Sequence, residues 1–240
     1  MAWFFELAAE FGLNQEDAEI FAVHFQGLNL SLVDHASSLL SANIWQASDD
    51  NWWCRVCPGG VSRSGIGNRD DAKQMTEIGI LLYGHLRSAP SFRFALVGVE
   101  TEECISYSEL IDNKEFIIAN SHFNGLVINH EIWDHFEQPP IFEPFKDNYF
   151  WKPYKGEMPP TFWATKSKMG ELYLCCLTDK GIYISKPYSN EKDSFLLCSI
   201  EDFLNGNNHD FIKREFGGGI HEEMIETIND ITEIYGKFHA

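Results

Sequence analysis

Residues 68–99, NRDDAKQMTEIGILLYGHLRSAPSFRFALVGV, set two kinds of element side by side. Asn68 to Asp71 open a helix, with acids in the first turn where the helix dipole favours them. Met75, Ile78, Leu81, Leu82 and Leu86 then recur at helical spacing until Pro90 ends the element. Phe92 to Val99 is a dense apolar run suited to a buried strand. No copy of this unit recurs along the chain, so the class is α+β with a mixed or antiparallel sheet.

Towards the N-terminus the pattern predicts helices. Residues 2–11 read as a short one, and Asn14 before Gln15, Glu16 and Asp17 supplies an N-cap for a second running to about Phe25. Gly27 stops it. Leu32, Val33, Ala36, Leu39, Leu40 and Ile44 then give residues 30–45 an amphipathic helical period, so residues 1–48 form a helical subregion. After a turn at Asp49, Asp50 and Asn51, Trp52 to Cys57 reads as a strand ending at Pro58, Gly59 and Gly60.

Towards the C-terminus, Tyr107 to Ile111 gives one helical turn, Glu115 to Ala119 and Gly125 to Ile128 two short strands, and Glu131 to Phe136 a short helix. Pro139, Pro140 and Pro144 predict an extended loop, and a second prolyl stretch runs from Lys152 to Pro160. Leu172 to Leu177, Gly181 to Lys186 and Phe195 to Ser199 predict an antiparallel meander. Past Gly217, Gly218 and Gly219, an amphipathic helix begins near Ile220 with Met224, Ile225, Ile228, Ile231, Ile234 and Tyr235 on its apolar stripe. A chain of 240 residues, 44% hydrophobic, buries a core without staples and is read as a single domain.

The start has no Lys or Arg ahead of its apolar residues and carries Glu6 and Glu10, the wrong build for a secretory signal. No run of 18 apolar residues occurs, which excludes a membrane helix. Cys54, Cys57, Cys104, Cys175, Cys176 and Cys198 are expected as reduced, mostly packed thiols of a soluble cytoplasmic protein. A net charge of −18 argues against nucleic acid and anionic lipid, both polyanionic.

That charge is unevenly placed. Residues 1–54 hold eight acids and no Lys or Arg, and residues 200–240 hold nine acids against Lys213, Arg214 and Lys237. The stretch 51–100 is slightly basic through Arg55, Arg63, Arg69, Lys73, Arg87 and Arg93, so both ends can fold against it. The leading expectation is a non-enzymatic interaction or regulatory module, of inhibitor or immunity type, that meets a basic protein through its acids.

One local motif points to chemistry. Residues 57–65, CPGGVSRSG, resemble the phosphate-binding loop of the cysteine-dependent protein tyrosine phosphatases, with Cys57, Gly60, Arg63, Ser64 and Gly65 at matching places. The resemblance implies Cys57 as thiolate nucleophile, Arg63 and loop amides as holders of the phosphoryl oxygens, and Ser64 as the group easing thiolate departure. Val56 stands where many members have histidine, and no acid lies in a motif of that family. Gly65, Gly67 and Asn68 delay the helix beyond Arg63, so a tight glycine-rich strand-to-helix loop around a packed thiol competes with this alternative.

The remaining motifs favour structure. Cys54-x-x-Cys57 lacks both a second ligand pair for zinc and a helical second cysteine for dithiol chemistry. His130 and His135 stand five apart, about 140° round a helix, and do not face one metal. His209-Asp210 and His221-Glu222 have no nucleophile beside them in sequence. Gly217–Gly219 is a helix cap and hinge, since Glu222 and Glu223 would repel an anion there. Trp151, Tyr154, Phe162 and Trp163 are expected to cover a core edge. No cofactor or metal is expected.

Overall fold

The computed structural model describes residues 4–32, 37–60, 66–101, 105–159, 161–166, 172–178, 181–185 and 195–235. The chain divides into two compact units, one drawn from Met1–Gly65 and Lys73–Glu157, the other from Ile66–Ala72 and Met158–Ala240.

The first unit opens on strand β1 (Phe5–Glu10), followed by helix α1 (Gln15–Phe25), β2 (Asn29–Leu30), β3 (Ser38–Gln46), β4 (Trp52–Pro58), α2 (Arg69–Leu86), which belongs to this unit from Lys73 onward, and β5 (Phe94–Val99). Two short helices, α3 (Tyr107–Asp112) and α4 (Lys114–Ala119), precede β6 (Val127–Asn129), α5 (His130–His135), β7 (Glu143–Lys146) and β8 (Tyr149–Trp151). The strands make one sheet in the order β2-β3-β4-β1-β5-β6-β8-β7, antiparallel at every junction. The α+β class and the antiparallel sheet thus hold.

The helical N-terminal subregion does not. The first helix follows a strand, because residues 5–10 pair with β4 on one side and β5 on the other and all six are buried. A strand covered on both faces loses the polar alternation that identifies strands in sequence, and Leu7, Ala8 and Ala9 are good helix formers. Residues 38–46, expected within a helix, form β3: Leu40 is 1% exposed and Leu39 60%, the alternation of a strand. Val33 and Ala36, counted in that helical period, lie outside the described residues.

Elsewhere local signals hold. Asn14 caps α1, its side chain accepting from the Asp17 amide at 3.2 Å. Along α2, Ile78, Leu82 and Leu86 are fully buried, each worth about 1.5–3 kcal/mol of transfer free energy. Tyr83 on the same helix accepts the Val97 amide of β5 at 3.1 Å and stacks edge-on against Trp151 of β8. The opposite face of the sheet carries Ala8, Trp53, Phe94, Leu96 and Ile128, covered by Leu110, Ile117 and Ile132 of α3, α4 and α5.

Two further differences have tertiary causes. Residues 115–119 are helical rather than extended, and the Lys152 ammonium donates to the carbonyls of Ile118 (2.9 Å) and Asn120 (2.7 Å), capping that helix end from 32 residues away. The predicted loop around Pro144 contains the β7–β8 hairpin, whose turn places Asn148 at φ 62. Because β7 is an edge strand, Pro144 leaves no ladder amide unpaired inside the sheet.

The second unit is a four-stranded antiparallel sheet in the order β12-β11-β10-β9, from β9 (Phe162–Lys166), β10 (Leu172–Thr178), β11 (Gly181–Ser185) and β12 (Phe195–Cys198). Helices α6 (Ile200–Leu204), α7 (His209–Phe216) and α8 (Gly218–Tyr235) follow. The meander and terminal helix expected from sequence are present, with Gly217 at φ 99 as the cap between α7 and α8. Cys175, Leu177, Ile182, Ile184, Phe203, Ile212, Met224 and Ile228 make its core. Among the described residues no helix is long and apolar enough to cross a membrane.

Candidate functional site

Two acids of β1 lie on one face of the central sheet, where a period of two brings Glu6 and Glu10 to the same side as Ala8. Both are 0% exposed. Glu10 Oε2 accepts from Arg93 Nε at 2.7 Å, Oε1 accepts from Arg93 Nη2, and the Gly12 amide donates to Oε1 at 3.0 Å. The guanidinium also donates to Asn51 Oδ1 at 3.1 Å and lies 3.8 Å over the Tyr107 ring. Glu6 stands 3.9 Å from Arg55 Nε. The folding of acidic end against basic centre is therefore literal: arginines on β4 and just before β5 neutralise the carboxylates of β1.

That burial rearranges the expected acidic surface. Of the acids in residues 1–54, Glu16, Asp17 and Glu19 lie on α1 and Asp49 and Asp50 in the β3–β4 turn, while Asp34 lies outside the described residues. The outward side of α1 also carries apolar side chains, Ile20 at 48% exposed and Val23 at 77%, and Leu13 in the turn just before the helix cap is 77% exposed. At 100° per residue, Glu16, Glu19, Ile20 and Val23 share one stripe, opposite buried Ala18, Phe21 and Phe25. Apolar anchors amid carboxylates, with no Lys or Arg in the first 54 residues, make a face unlike an ordinary solvated helix.

Around the other side of the α1 start is a cleft of about 500 Å³. Phe11, Phe92 and Tyr149 give it aromatic walls and Asp17, Glu131 and Asp147 give it carboxylates. The Tyr149 hydroxyl is committed to the backbone, accepting from the Phe92 amide (2.9 Å) and donating to the Phe92 carbonyl (2.7 Å), and burial raises its pKa. Lys146 sits 4.6 Å over the Tyr149 ring and donates to the Ala89 carbonyl at 2.7 Å, and burial pushes its ammonium down to about 8. The cleft joins residues from five separate stretches, so no sequence motif marks it.

Cys57 is at the end of β4, and its thiol donates to Glu6 Oε2 at 3.9 Å. A buried carboxylate at that place disfavours both a thiolate and a phosphoryl dianion. Arg63 and Ser64, the other residues of the phosphatase-like motif, lie outside the described residues. Helix α2 starts at Arg69, after the delay that Gly65 and Gly67 imply, and the Arg69 guanidinium pairs with Glu226 and Asp230. Cys54 is buried, and burial with the neighbouring Cys57 pushes its thiol up to about 12, making it inert.

The other motifs are placed as structure. Cys175 is buried and Cys176 half-buried on opposite sides of β10, and burial pushes Cys175 up to about 12. His130 Nδ1 lies 3.0 Å from Asp134 within α5. Among the described residues no group of three His, Cys, Asp or Glu is arranged to hold a metal ion. Trp163 packs in the second core, and Trp151 lies against Tyr83 and Phe145. In the second unit His221 is 3% exposed, neither ring nitrogen has a hydrogen-bond partner among the described residues, and its ring is 4.4 Å from that of His209. Desolvation, with His209 and Lys213 adding to it, holds the His221 pKa below the usual histidine range.

No family model, curated protein or solved structure matches this chain.

Proposed function

We propose that this protein is a non-catalytic interaction module, of inhibitory or regulatory type, that binds a basic protein through the outward face of α1. The observation that carries the reading is the exposure of Leu13, Ile20 and Val23 beside Glu16 and Glu19. Two apolar side chains left in water on one helix face, with Leu13 exposed in the turn before it, supply the buried centre of an interface, and the acids around them select a cationic rim opposite. A protein that occupies the anion-binding face of a basic enzyme has this chemistry. It needs no catalytic group, in keeping with a Cys57 thiol held against a carboxylate.

The test uses a fluorescent amphipathic peptide of alternating Leu and Lys turns, followed by anisotropy at low and at physiological salt. Glu16→Gln with Glu19→Gln takes the net charge from −18 to −16, and Glu201→Gln with Glu222→Gln does the same on exposed sites of the second unit. The reading predicts that the α1 pair weakens binding about tenfold and the matched pair far less, and that Leu13→Ser with Val23→Ser also weakens it. Equal loss from both charge pairs reduces the effect to overall charge and sinks the proposal.

A further inference from the structure

We infer that the outer edge of β3, over residues 42–46, takes an extended segment of the basic partner as an added strand, a deepening that rests on the interaction reading above. β2 covers only the start of β3, pairing Asn29 with Leu39 and Leu30 with Ser38. Leu40 still bonds on that side, its amide donating to the Leu28 carbonyl at 2.8 Å and its carbonyl accepting from the Gly27 amide at 3.0 Å. An antiparallel strand turns its backbone groups to the same side at every second residue, so Ala42, Ile44 and Gln46 direct theirs outward while Asn43 and Trp45 turn to β4. The Ala42 amide donates to the Gln26 side-chain oxygen at 2.8 Å, which stands where the carbonyl of a neighbouring strand would. Among the described residues, the amides of Ile44 and Gln46 and the carbonyls of Ala42, Ile44 and Gln46 have no partner on that side.

Sheet edges are normally blunted by charge, proline or a bulge. The far edge of the same sheet follows that rule, since β7 carries Glu143, Pro144 and Lys146 and its register breaks between Pro144 and Lys146. Residues 42–46, ANIWQ, have neither charge nor proline, and the β3–β4 register runs without a break. These five residues span about 17 Å, the length of an ordinary strand. The edge is continuous with the α1 face, because Gln26 follows Val23 by three residues and its side chain is the one that holds Ala42. At the other end Gln46 Nε2 donates to the Asp50 carbonyl at 3.0 Å, which brings the turn with Asp49 and Asp50 alongside. These two acids, like Glu16 and Glu19 on α1, are exposed, and residues 1–54 offer no Lys or Arg. A second copy would bring the same acids and a net charge of −18, so the edge selects a cationic strand.

The probe is acetyl-Lys-Val-Lys-Val-Lys-Val-Lys-amide, with two controls: the same peptide N-methylated at its internal residues, equal in charge and unable to form a ladder, and the peptide with Gln for every Lys. Amide hydrogen exchange in the 15N-labelled full chain reads the new hydrogen bonds one by one. At saturation the charged peptide is expected to slow exchange at Ile44 and Gln46 about tenfold or more, and to leave Asn43 and Trp45, which face β4, unchanged. The methylated peptide should protect neither amide, and the Gln peptide should need about tenfold higher concentration. Ile44→Pro, tolerated at an edge because the lost amide points outward, should weaken the charged peptide about tenfold; the methylated peptide gives the same answer without a variant. Unchanged exchange at Ile44 and Gln46, or equal protection by the charged peptide and either control, overturns the inference. Protection that rises with protein concentration in the absence of peptide assigns the edge to a second copy and overturns it as well. The Leu/Lys probe separates the two ideas. If Glu16→Gln with Glu19→Gln weakens that probe while the strand peptide leaves both amides unprotected, the α1 face stands and the edge assignment falls. If the strand peptide protects both amides while the probe ignores the α1 pair, the α1 reading fails and the edge site remains.

Discussion

Replacing Arg93 by Met strands a carboxylate in the middle of the first unit. Glu10 is fully buried, and its two oxygens are held by the Arg93 guanidinium and the Gly12 amide. Without Arg93, one amide donor remains for two oxygens. Breaking a buried pair by removing one partner costs about 3–5 kcal/mol, and the contact with the Tyr107 ring adds roughly 0.5–1 kcal/mol. Against a domain stability of about 5–15 kcal/mol, that loss moves the urea midpoint by more than about 1 M. Trp53 lies directly opposite Glu10 in the β1–β4 ladder, so tryptophan fluorescence reports unfolding at the site. Glu10→Met combined with Arg93→Met leaves no charge behind and should recover most of the loss. A single variant within about 1 kcal/mol of wild type, or a double variant losing the sum of the two singles, refutes the reasoning.

Three further outcomes follow from the same geometry. Lys152 is 4% exposed and burial pushes its ammonium down to about 8, below its unfolded value of 10.5. The unfolded chain therefore binds the proton more tightly, and stability rises with pH from 8 towards 9.5. Lys152→Met should flatten that rise by up to about 2 kcal/mol in urea titrations, and an identical slope in both proteins contradicts the assignment. His221, with its pKa lowered by burial, stabilises above the unfolded histidine pKa and loses that contribution as pH falls. His221→Phe should then hold its melting temperature between pH 7 and pH 5 while wild type declines; parallel curves count against the buried neutral ring. Finally, Cys57→Ser should leave aryl phosphate turnover unchanged at the background rate, because the Cys57 thiol faces the buried Glu6 carboxylate, which disfavours a thiolate there. A turnover that depends on Cys57 removes the non-catalytic reading.

The elements legible in the sequence are those that local chemistry decides. Asn14 announces its helix by capping it, and α2 and α8 carry apolar stripes long enough to have one interpretation. Residues 5–10 were misleading because their neighbours on both sides, β4 and β5, lie far along the chain and bury every position. Residues 115–119 turn helical with a cap supplied by Lys152, and the hairpin around Pro144 depends on being at a sheet edge. For the site, the charge asymmetry of residues 1–54 was visible, whereas its division was not: Glu10 meets Arg93 across 83 positions, and only folding decides which carboxylates remain outside. The cleft was invisible for the same reason, since Asp17, Glu131 and Asp147 share no motif and meet only through the sheet order.

The most direct measurement is an amide chemical-shift map of the 15N-labelled chain titrated with the Leu/Lys peptide at physiological salt. The account predicts perturbations concentrated on residues 13–24, saturating together and weakening as salt is raised. Shifts spread over the acids of residues 200–235, or no saturable change along α1, would contradict it.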